Sequence, residues 1–389
     1  MRLITRYVLR EIFQVFLVTL ISLTLLMVLF GAVREAIVQG LGIAQIVQLF
    51  PYLLPNALMF AVPGTILFSV ANVYGRMAGA NEIVALKSAG VSPMAVVWPA
   101  LLLAVLLSFA TVWLNDMAMS WGHRGMQTVV INALEDIVYG KLAATKTAGS
   151  AGFSVTVRKV QGRELIDPMF LFQDEAGPVT VHADSAVLRS NPGSGVLTIV
   201  LENASGEASG QHFHVPGRSE REIPLNPDAG KDASPAHLAL REIPEQARRQ
   251  REIIQTLEER MVAGAGFQMM TGDFEALAGN GWSDETHQIQ HQKSRLHRMN
   301  TEPPRRWANG FSCVCFALVG ATMAIRRRNA DALTSFFLCF LPILIVYYPL
   351  LIWGVDRSKA GAITPYAVWC ANVVLVAWGM LLLRRVLRY

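Results

Sequence analysis

Six segments of mostly apolar residues constrain the fold of this chain more than any other feature. A helix needs about 20 largely apolar residues to cross the hydrocarbon core of a bilayer. The six segments cover residues 12–31, 53–73, 94–114, 307–325, 333–353 and 365–383. The sequence therefore predicts a membrane protein with six spanning helices, three before and three after a long polar insert.

The composition supports this class of protein. Of 389 residues, 52% are hydrophobic and only 16% are charged, whereas soluble domains carry roughly 25% charged residues. All four cysteines lie in the last three apolar segments or at their edges, where free cysteine packs as a small hydrophobe. No disulfide framework is therefore expected.

Basic residues beside the apolar segments predict the orientation in the membrane. They include Arg2, Arg6, Arg10, Arg326, Arg327, Arg328, Arg384, Arg385 and Arg388. Because loops rich in Lys and Arg stay in the cytoplasm, both termini and the connector 74–93 are expected there. The insert 115–306 is then outside the cytoplasm. Basic residues placed in this way favour membrane topology over nucleic-acid binding.

The insert has the pattern of a β domain followed by charged helices. Phe153, Val155 and Val157 alternate with polar residues, and so do Leu197 and Ile199. Many short strands without helices between them predict a sandwich, a barrel or a jelly roll. The predicted fold class is α+β, with domains at 1–114, 115–243 (β), 244–306 (a charged, partly helical linker) and 307–389.

The connector between the second and third spans is polar and predicts a short helix at about residues 76–90. Asn81 is expected to cap it, Glu82 lies in its first turn and Gly90 ends it. A turn alone would reverse the chain, so a helix here favours a docking surface for a soluble partner. An ordinary loop helix with solvated charges is the alternative.

The chain lacks an ATPase motif of its own. Lys87-Ser88 resembles the end of a phosphate-binding loop, but that motif requires glycine before the lysine and Leu86 is there. No bound cofactor is expected, and ATP-driven work would need a separate subunit.

Metal binding and ion-coupled transport are disfavoured. His287 and His291 are four residues apart, but Gln288 replaces the glutamate of a zinc protease motif, so we interpret both as solvated histidines. Ionisable residues inside the spans are scarce, whereas ion-coupled transporters carry acids there.

Arg34, at the outer end of the first span, has two interpretations. Its side chain extends to the membrane surface, or its guanidinium pairs with the phosphates of an anionic lipid.

Four motifs together resemble the LptF/LptG family of lipopolysaccharide export permeases. They are Arg6-Tyr7-Val8-Leu9-Arg10-Glu11, Asn81-Glu82-Ile83-Val84-Ala85-Leu86-Lys87-Ser88-Ala89-Gly90, Arg295-Leu296-His297-Arg298 and Tyr347-Tyr348. The architecture of three spans, an outer β domain and three spans is similar over the whole chain. Pro303-Pro304 and the charged segment at about 244–283 depart from the family's pattern.

The resemblance implies a jelly roll in the periplasm and a bacterial inner-membrane location. It implies four partners: a cytoplasmic ABC ATPase dimer that uses the ATP, a second LptF/LptG-type permease, a periplasmic jelly-roll bridge protein, and lipopolysaccharide or a related glycolipid. The implied ATPase-coupling residues are Asn81, Glu82, Ala85, Leu86, Lys87, Ser88 and Gly90. The expected lipid contacts are Arg34, Phe153, Val155 and Val157, although the last three also suit the core of the β domain.

A membrane-anchored scaffold, whose outer β domain binds envelope proteins without moving lipid, is the alternative function.

Overall fold

The protein, described from a computed structural model, is built from long helices and one antiparallel sheet. The structure describes residues 2–39, 43–150, 153–174, 177–191, 196–208, 211–224, 234–272, 282–327 and 331–388. The α-helices of this part of the chain are α1 (Arg2–Gln39), α2 (Ile43–Gly79), α3 (Glu82–Ser88), α4 (Pro93–Met117), α5 (His123–Thr145), α6 (Ile243–Thr271), α7 (Ser283–Arg327), α8 (Ala332–Pro342), α9 (Tyr348–Lys359) and α10 (Cys370–Arg388).

Six helical stretches of the described residues are long and apolar enough to cross a membrane. They are Leu3–Val38, Ile46–Gly79, Pro93–Met126, Glu285–Arg327, Leu333–Lys359 and Pro365–Leu387. Each of the six apolar segments predicted from the sequence falls inside one of them. The prediction of six spans is confirmed at the level of length and composition.

Two spans contain a π-helical turn. The third span continues from α4 through the π turn Ala118–Gly122 into α5, so the chain stays helical as far as Thr145. The fifth span consists of α8, the π turn Ile343–Tyr347 and α9. Pro342 lies next to the second turn and lacks a backbone N–H, which weakens the regular helical ladder there. Such turns mark places where a helix bends.

Helix α7 is the longest element described and runs through Pro303 and Pro304 without a break. Its 45 residues measure roughly 67 Å at 1.5 Å per residue, more than a membrane needs. The charged helix α6 packs along its N-terminal part. Gln250 donates to Gln292 at 2.5 Å, and Lys293 pairs with Glu258 at 2.7 Å. Helix α6, from the charged segment, therefore packs against the N-terminal part of α7.

Asp331 precedes α8, and its Oδ2 accepts from the backbone N–H and the hydroxyl of Thr334 at 2.9 and 2.5 Å. These two bonds hold the pKa of the Asp331 carboxyl below its ordinary value. Asp331 thus begins the fifth span as an N-cap residue.

The nine described strands form one antiparallel sheet, a half-barrel. They are β1 (Thr147–Ser150), β2 (Phe153–Thr156), β3 (Lys159–Gln161), β4 (Glu164–Ile166), β5 (Met169–Asp174), β6 (Gly177–His182), β7 (Ser185–Asn191), β8 (Val196–Ala208) and β9 (Gln211–Pro224). Their order is β1-β2-β5-β6-β8-β7-β4-β3, and β9 also pairs with β8. In sequence, the sheet lies between the third and fourth spans.

One face of the sheet carries its hydrophobic core. Phe170 and Leu165 have no exposed surface, and Tyr139 of α5 lies over the same layer. The Tyr139 hydroxyl donates to the Arg163 carbonyl at 2.6 Å and accepts from the Leu188 N–H at 2.9 Å. A single helix thus closes part of the apolar face.

The described chain divides into two compact units. One contains residues 1–27, 54–120 and 235–389, and the other contains 28–53 and 121–234. The domain boundaries proposed from the sequence stay a prediction.

A buried ion cluster organises the first unit. Arg306 of α7 is fully buried, and its Nη1 donates to Asp116 Oδ1 of α4 at 2.6 Å. Its Nη2 donates to the carbonyls of Ala236 and Leu238 at 2.9 and 2.7 Å. Glu302, 1% exposed, lies on the same side of α7, 3.8 Å from Arg306 Nε. Removing one member of a buried cluster of this kind costs about 3–5 kcal/mol.

Candidate functional site

The connector between α2 and α4 contains the short helix α3, and a glycine shortly after its last residue ends it. The φ angle of Gly90 is +78°, a conformation that favours glycine. Its N–H donates to the Lys87 carbonyl, and the Val91 N–H donates to the Leu86 carbonyl, both at 2.9 Å. Ser92 then caps α4 by accepting from the Met94 N–H at 3.3 Å. The connector is therefore an ordered structure.

Asn81 lies at the N-cap position of α3, but the prediction that its side chain caps the helix is wrong. Its backbone is left-handed, with φ of 59°, and its side chain makes no capping hydrogen bond. Asparagine tolerates this conformation better than most residues, which explains its place in the turn. Glu82 follows in the first turn, where the helix dipole favours an acid.

Helix α3 has an inner and an outer face. Ile83 is 4% exposed and Leu86 packs against the same hydrophobic cluster of the first unit. Val84 is 43% exposed, and Ala85 and Ser88 are exposed as well. Apolar and small residues on the outer face of a helix between two membrane spans are available to a soluble partner.

A shallow groove of about 330 Å³ lies beside α3. Its lining residues are Ile4, Tyr7, Met77, Glu82, Ala85 and Leu86. Nearby, Arg76 at the end of α2 forms an ion pair with Glu11 of α1. The groove thus combines an apolar lining with one carboxylate from Glu82. Of the sequence-predicted coupling residues, Glu82, Ala85 and Leu86 contribute to it.

Lys87 is not among the residues that line this groove. Its Nζ donates to the Val386 carbonyl of α10 at 2.9 Å. The structure therefore assigns Lys87 a partner within the chain.

The lipid-contact residues predicted from the sequence belong to the second unit. Arg34 is exposed and has no hydrogen bond or ion pair with any described residue. Val155 and Val157 are 1% and 3% exposed and belong to the core of the half-barrel. The side chain of Phe153 lies outside the described part of the structure.

Sequence reasoning missed two sets of residues. Ile4 and Tyr7 line the groove although they precede the first apolar segment. Asp116 and Arg306 form an ion pair although they are 190 residues apart. The available signal was two opposite charges, each at the edge of an apolar segment. Among the described residues, no group of three or more His, Cys, Asp or Glu is arranged to hold a metal ion.

Six helices long and apolar enough to cross a membrane, together with a half-barrel sheet, define a multi-pass membrane protein with an ordered helix between its second and third spans. A model of the family described as lipopolysaccharide export system permease LptF/LptG matches residues 6–385. The chain belongs to the LptF/LptG family, as the motifs in the sequence predicted. It is a permease subunit of lipopolysaccharide transport and not itself an enzyme. No curated protein matches the chain.

Proposed function

We propose that this chain is one permease subunit of an ATP-driven exporter. It extracts lipopolysaccharide or a related glycolipid from the inner membrane and passes it to a periplasmic jelly-roll bridge protein. A cytoplasmic ABC ATPase dimer docks on α3 and uses the ATP, and a second LptF/LptG-type permease completes the membrane part. The chain itself binds no cofactor.

The outer face of α3 and its groove are the observation that carries the ATPase part of this proposal. Val84, Ala85 and Ser88 present a small, exposed surface, and Glu82 places one negative charge at its edge. A partner with an apolar projection and a nearby cation fits this combination by charge and shape. The inner face of α3 packs against the hydrophobic cluster of the spanning helices, so a displacement of α3 by the partner would also move these helices.

The first and fifth spans are the proposed lipid path through the membrane. In the most apolar stretch of each, 22% of the residues are buried, against 78% in the fourth span. Faces this exposed need lipid or the second permease against them. Arg34, at the end of the first span and without a described partner, is the proposed contact for a lipid phosphate.

The half-barrel is the proposed shelter for acyl chains, and we propose that it is a jelly roll. Each methylene group left in water costs about 0.8 kcal/mol, so a lipid with several acyl chains needs a continuous apolar surface. Phe153, Val155 and Val157 are proposed to contribute to that surface. Because Val155 and Val157 are already buried, lipid entry requires the layer that includes Tyr139 to move.

The proposed orientation follows the basic residues of the sequence. Both termini and α3 are placed in the cytoplasm, and the β domain in the periplasm, with domains at 1–114, 115–243, 244–306 and 307–389.

Replacement of Glu82 by alanine tests the docking site. We expect Glu82→Ala to reach the membrane like the wild-type chain and to retain much less ATPase, because the groove loses its charge. The measurement is copurification of the ATPase with the full-length chain in mild detergent. The control is Glu245→Ala, which removes an exposed acid from α6. The Glu245 side chain is 68% exposed, and that of its ion-pair partner Arg249 is 64% exposed.

Equal recovery of the ATPase with Glu82→Ala and with the control would contradict the role of Glu82. A wild-type chain that recovers envelope proteins and no ATPase would instead be a scaffold.

A further inference from the structure

One side chain attaches α3 to the last helix of the protein. Lys87 Nζ donates to the Val386 carbonyl, 299 residues away in sequence, at 2.9 Å. Val386 lies in the last turn of α10, which ends at Arg388. The last four carbonyls of a helix have no partner within the helix. A lysine ammonium supplies one and also complements the negative end of the helix dipole.

The surroundings of this bond place it at the inner face of α3. Val386 is 8% exposed, and Leu383, one turn earlier in α10, is 5% exposed. Both belong to the hydrophobic cluster against which Leu86 packs. Lys87 is half-buried, whereas Val84 and Ser88 are exposed. The ammonium is thus directed to the last turn of α10 at the inner face of α3.

No comparable bond exists elsewhere in α3. Among the residues that the structure describes, Lys87 alone makes a side-chain hydrogen bond from α3 to another helix. The neighbouring ion pair between Glu11 and Arg76 joins α1 to α2, and its side chains are 23% and 49% exposed. Such pairs contribute little and are screened by salt. Lys87 is therefore the specific polar connection between α3 and the spanning bundle.

We propose that Lys87 is a positioning residue that transmits the movement of α3 to the sixth span. The inference rests on the proposed function, since it requires an ATPase docked on the outer face. It divides the coupling residues into two groups. Glu82 and Ala85 belong to the docking groove, and Lys87 carries the displacement to α10 through the carbonyl of Val386.

The substitution Lys87→Met tests this division, because methionine keeps an unbranched apolar stem and removes the ammonium. The measurements use the full-length chain with its ATPase and second permease in lipid vesicles. They are ATPase copurification, ATP hydrolysis and lipopolysaccharide released per ATP. We expect near wild-type copurification and hydrolysis, with release per ATP lower by at least about fivefold, the lower end of typical coupling between sites.

Two variants make the experiment specific. Lys87→Arg is expected to keep the release per ATP near the wild-type value, since a guanidinium also donates to a carbonyl. Lys159→Met makes the same change on the exposed strand β3 and is expected to behave like the wild type.

Wild-type release per ATP by Lys87→Met would overturn the proposal. So would loss of ATPase copurification by Lys87→Met, because Lys87 would then belong to the docking surface. A wild-type chain that binds no ATPase would instead overturn the proposed function.

Discussion

Tyr347 is a buried residue whose hydroxyl makes no hydrogen bond of good geometry with the surrounding helices. It ends the π turn of the fifth span, is 2% exposed, and packs edge-on against Phe316 at 5.2 Å between ring centroids. Its hydroxyl makes no hydrogen bond of good geometry with any described residue, although the Ser312 hydroxyl lies close enough to interact with it. The nearby Ser312 hydroxyl donates to the Asn309 carbonyl at 2.6 Å. A buried hydroxyl left unpaired costs about 1–3 kcal/mol.

The substitution Tyr347→Phe is therefore expected to stabilise the protein. It keeps the ring and its packing and removes only the unpaired hydroxyl, so we expect a rise in the free energy of unfolding of up to about 1 kcal/mol. Thermal unfolding in detergent measures it. Tyr348→Phe, at a position 39% exposed, is the control and should change little. A lower unfolding temperature for Tyr347→Phe would show that the hydroxyl is bonded.

At the residue scale, sequence reasoning found the end of α3 at Gly90 but not its start. The predicted start at about residue 76 is wrong, because residues 76–79 complete α2 and α3 begins at Glu82. Asparagine and glycine are recognisable as residues that bracket a helix. The left-handed backbone of Asn81 is set by the tight turn after α2, which a local pattern does not encode. The bond from Lys87 joins residues 299 apart, and only the packed bundle creates it.

At the scale of the elements, the six spans were predictable because a spanning helix is specified by a local run of apolar residues. The helical continuation of α4 through the π turn into α5, as far as Thr145, was not, because residues after 114 are mixed in polarity and form no long apolar run. Strands β3 and β4 have three residues each, too few to show alternation. Residues 179–188, which carry no Gly or Pro to mark a turn, are divided between β6 and β7 by Ala183 and Asp184.

A glycine sets the distance between α4 and α7. A Cβ added at Gly310 would collide with the Val112 side chain and lie 3.0 Å from the Ser108 carbonyl oxygen. Small residues allow membrane helices to approach closely in this way. The packing of the third span against the fourth therefore depends on the missing side chain.

We expect Gly310→Ala to destabilise the protein by about 1–3 kcal/mol, because the added methyl group overpacks the contact. The control is Gly266→Ala on α6, where a Cβ meets no atom within 4 Å. Alanine there should raise stability by up to about 1 kcal/mol through helix propensity. Thermal unfolding of both variants measures the difference. Equal shifts would contradict a close contact at Gly310.

At the scale of the whole molecule, the family match over residues 6–385 covers the membrane helices and the half-barrel alike, so both are parts of the family's permease. The topology of the sheet was only partly predictable, since the strand pattern left a sandwich, a barrel or a jelly roll open. The pairing of β4 with β7 and of β6 with β8 joins strands that are not consecutive in sequence. The buried Arg306 cluster likewise joins three segments that no local pattern relates.

Transfer of lipid from the membrane to the β domain is the central claim of this account. A photo-crosslinking residue in place of Phe153 reports this transfer. The ring of the crosslinker is close in size to the phenylalanine side chain, and sequence alternation places residue 153 on the same face as Val155. The control crosslinker replaces Ser154, on the opposite face. Arg34→Ala should reduce the capture and Arg34→Lys should largely keep it, if Arg34 binds a lipid phosphate.

The measurement is ATP-dependent capture of lipopolysaccharide by the crosslinker at Phe153, in vesicles that contain the full-length chain, its partner permease and the ATPase. The account predicts that ATP increases the captured lipopolysaccharide at Phe153 and leaves the signal at Ser154 low. Capture that is equal with and without ATP, or capture of proteins alone, would contradict it.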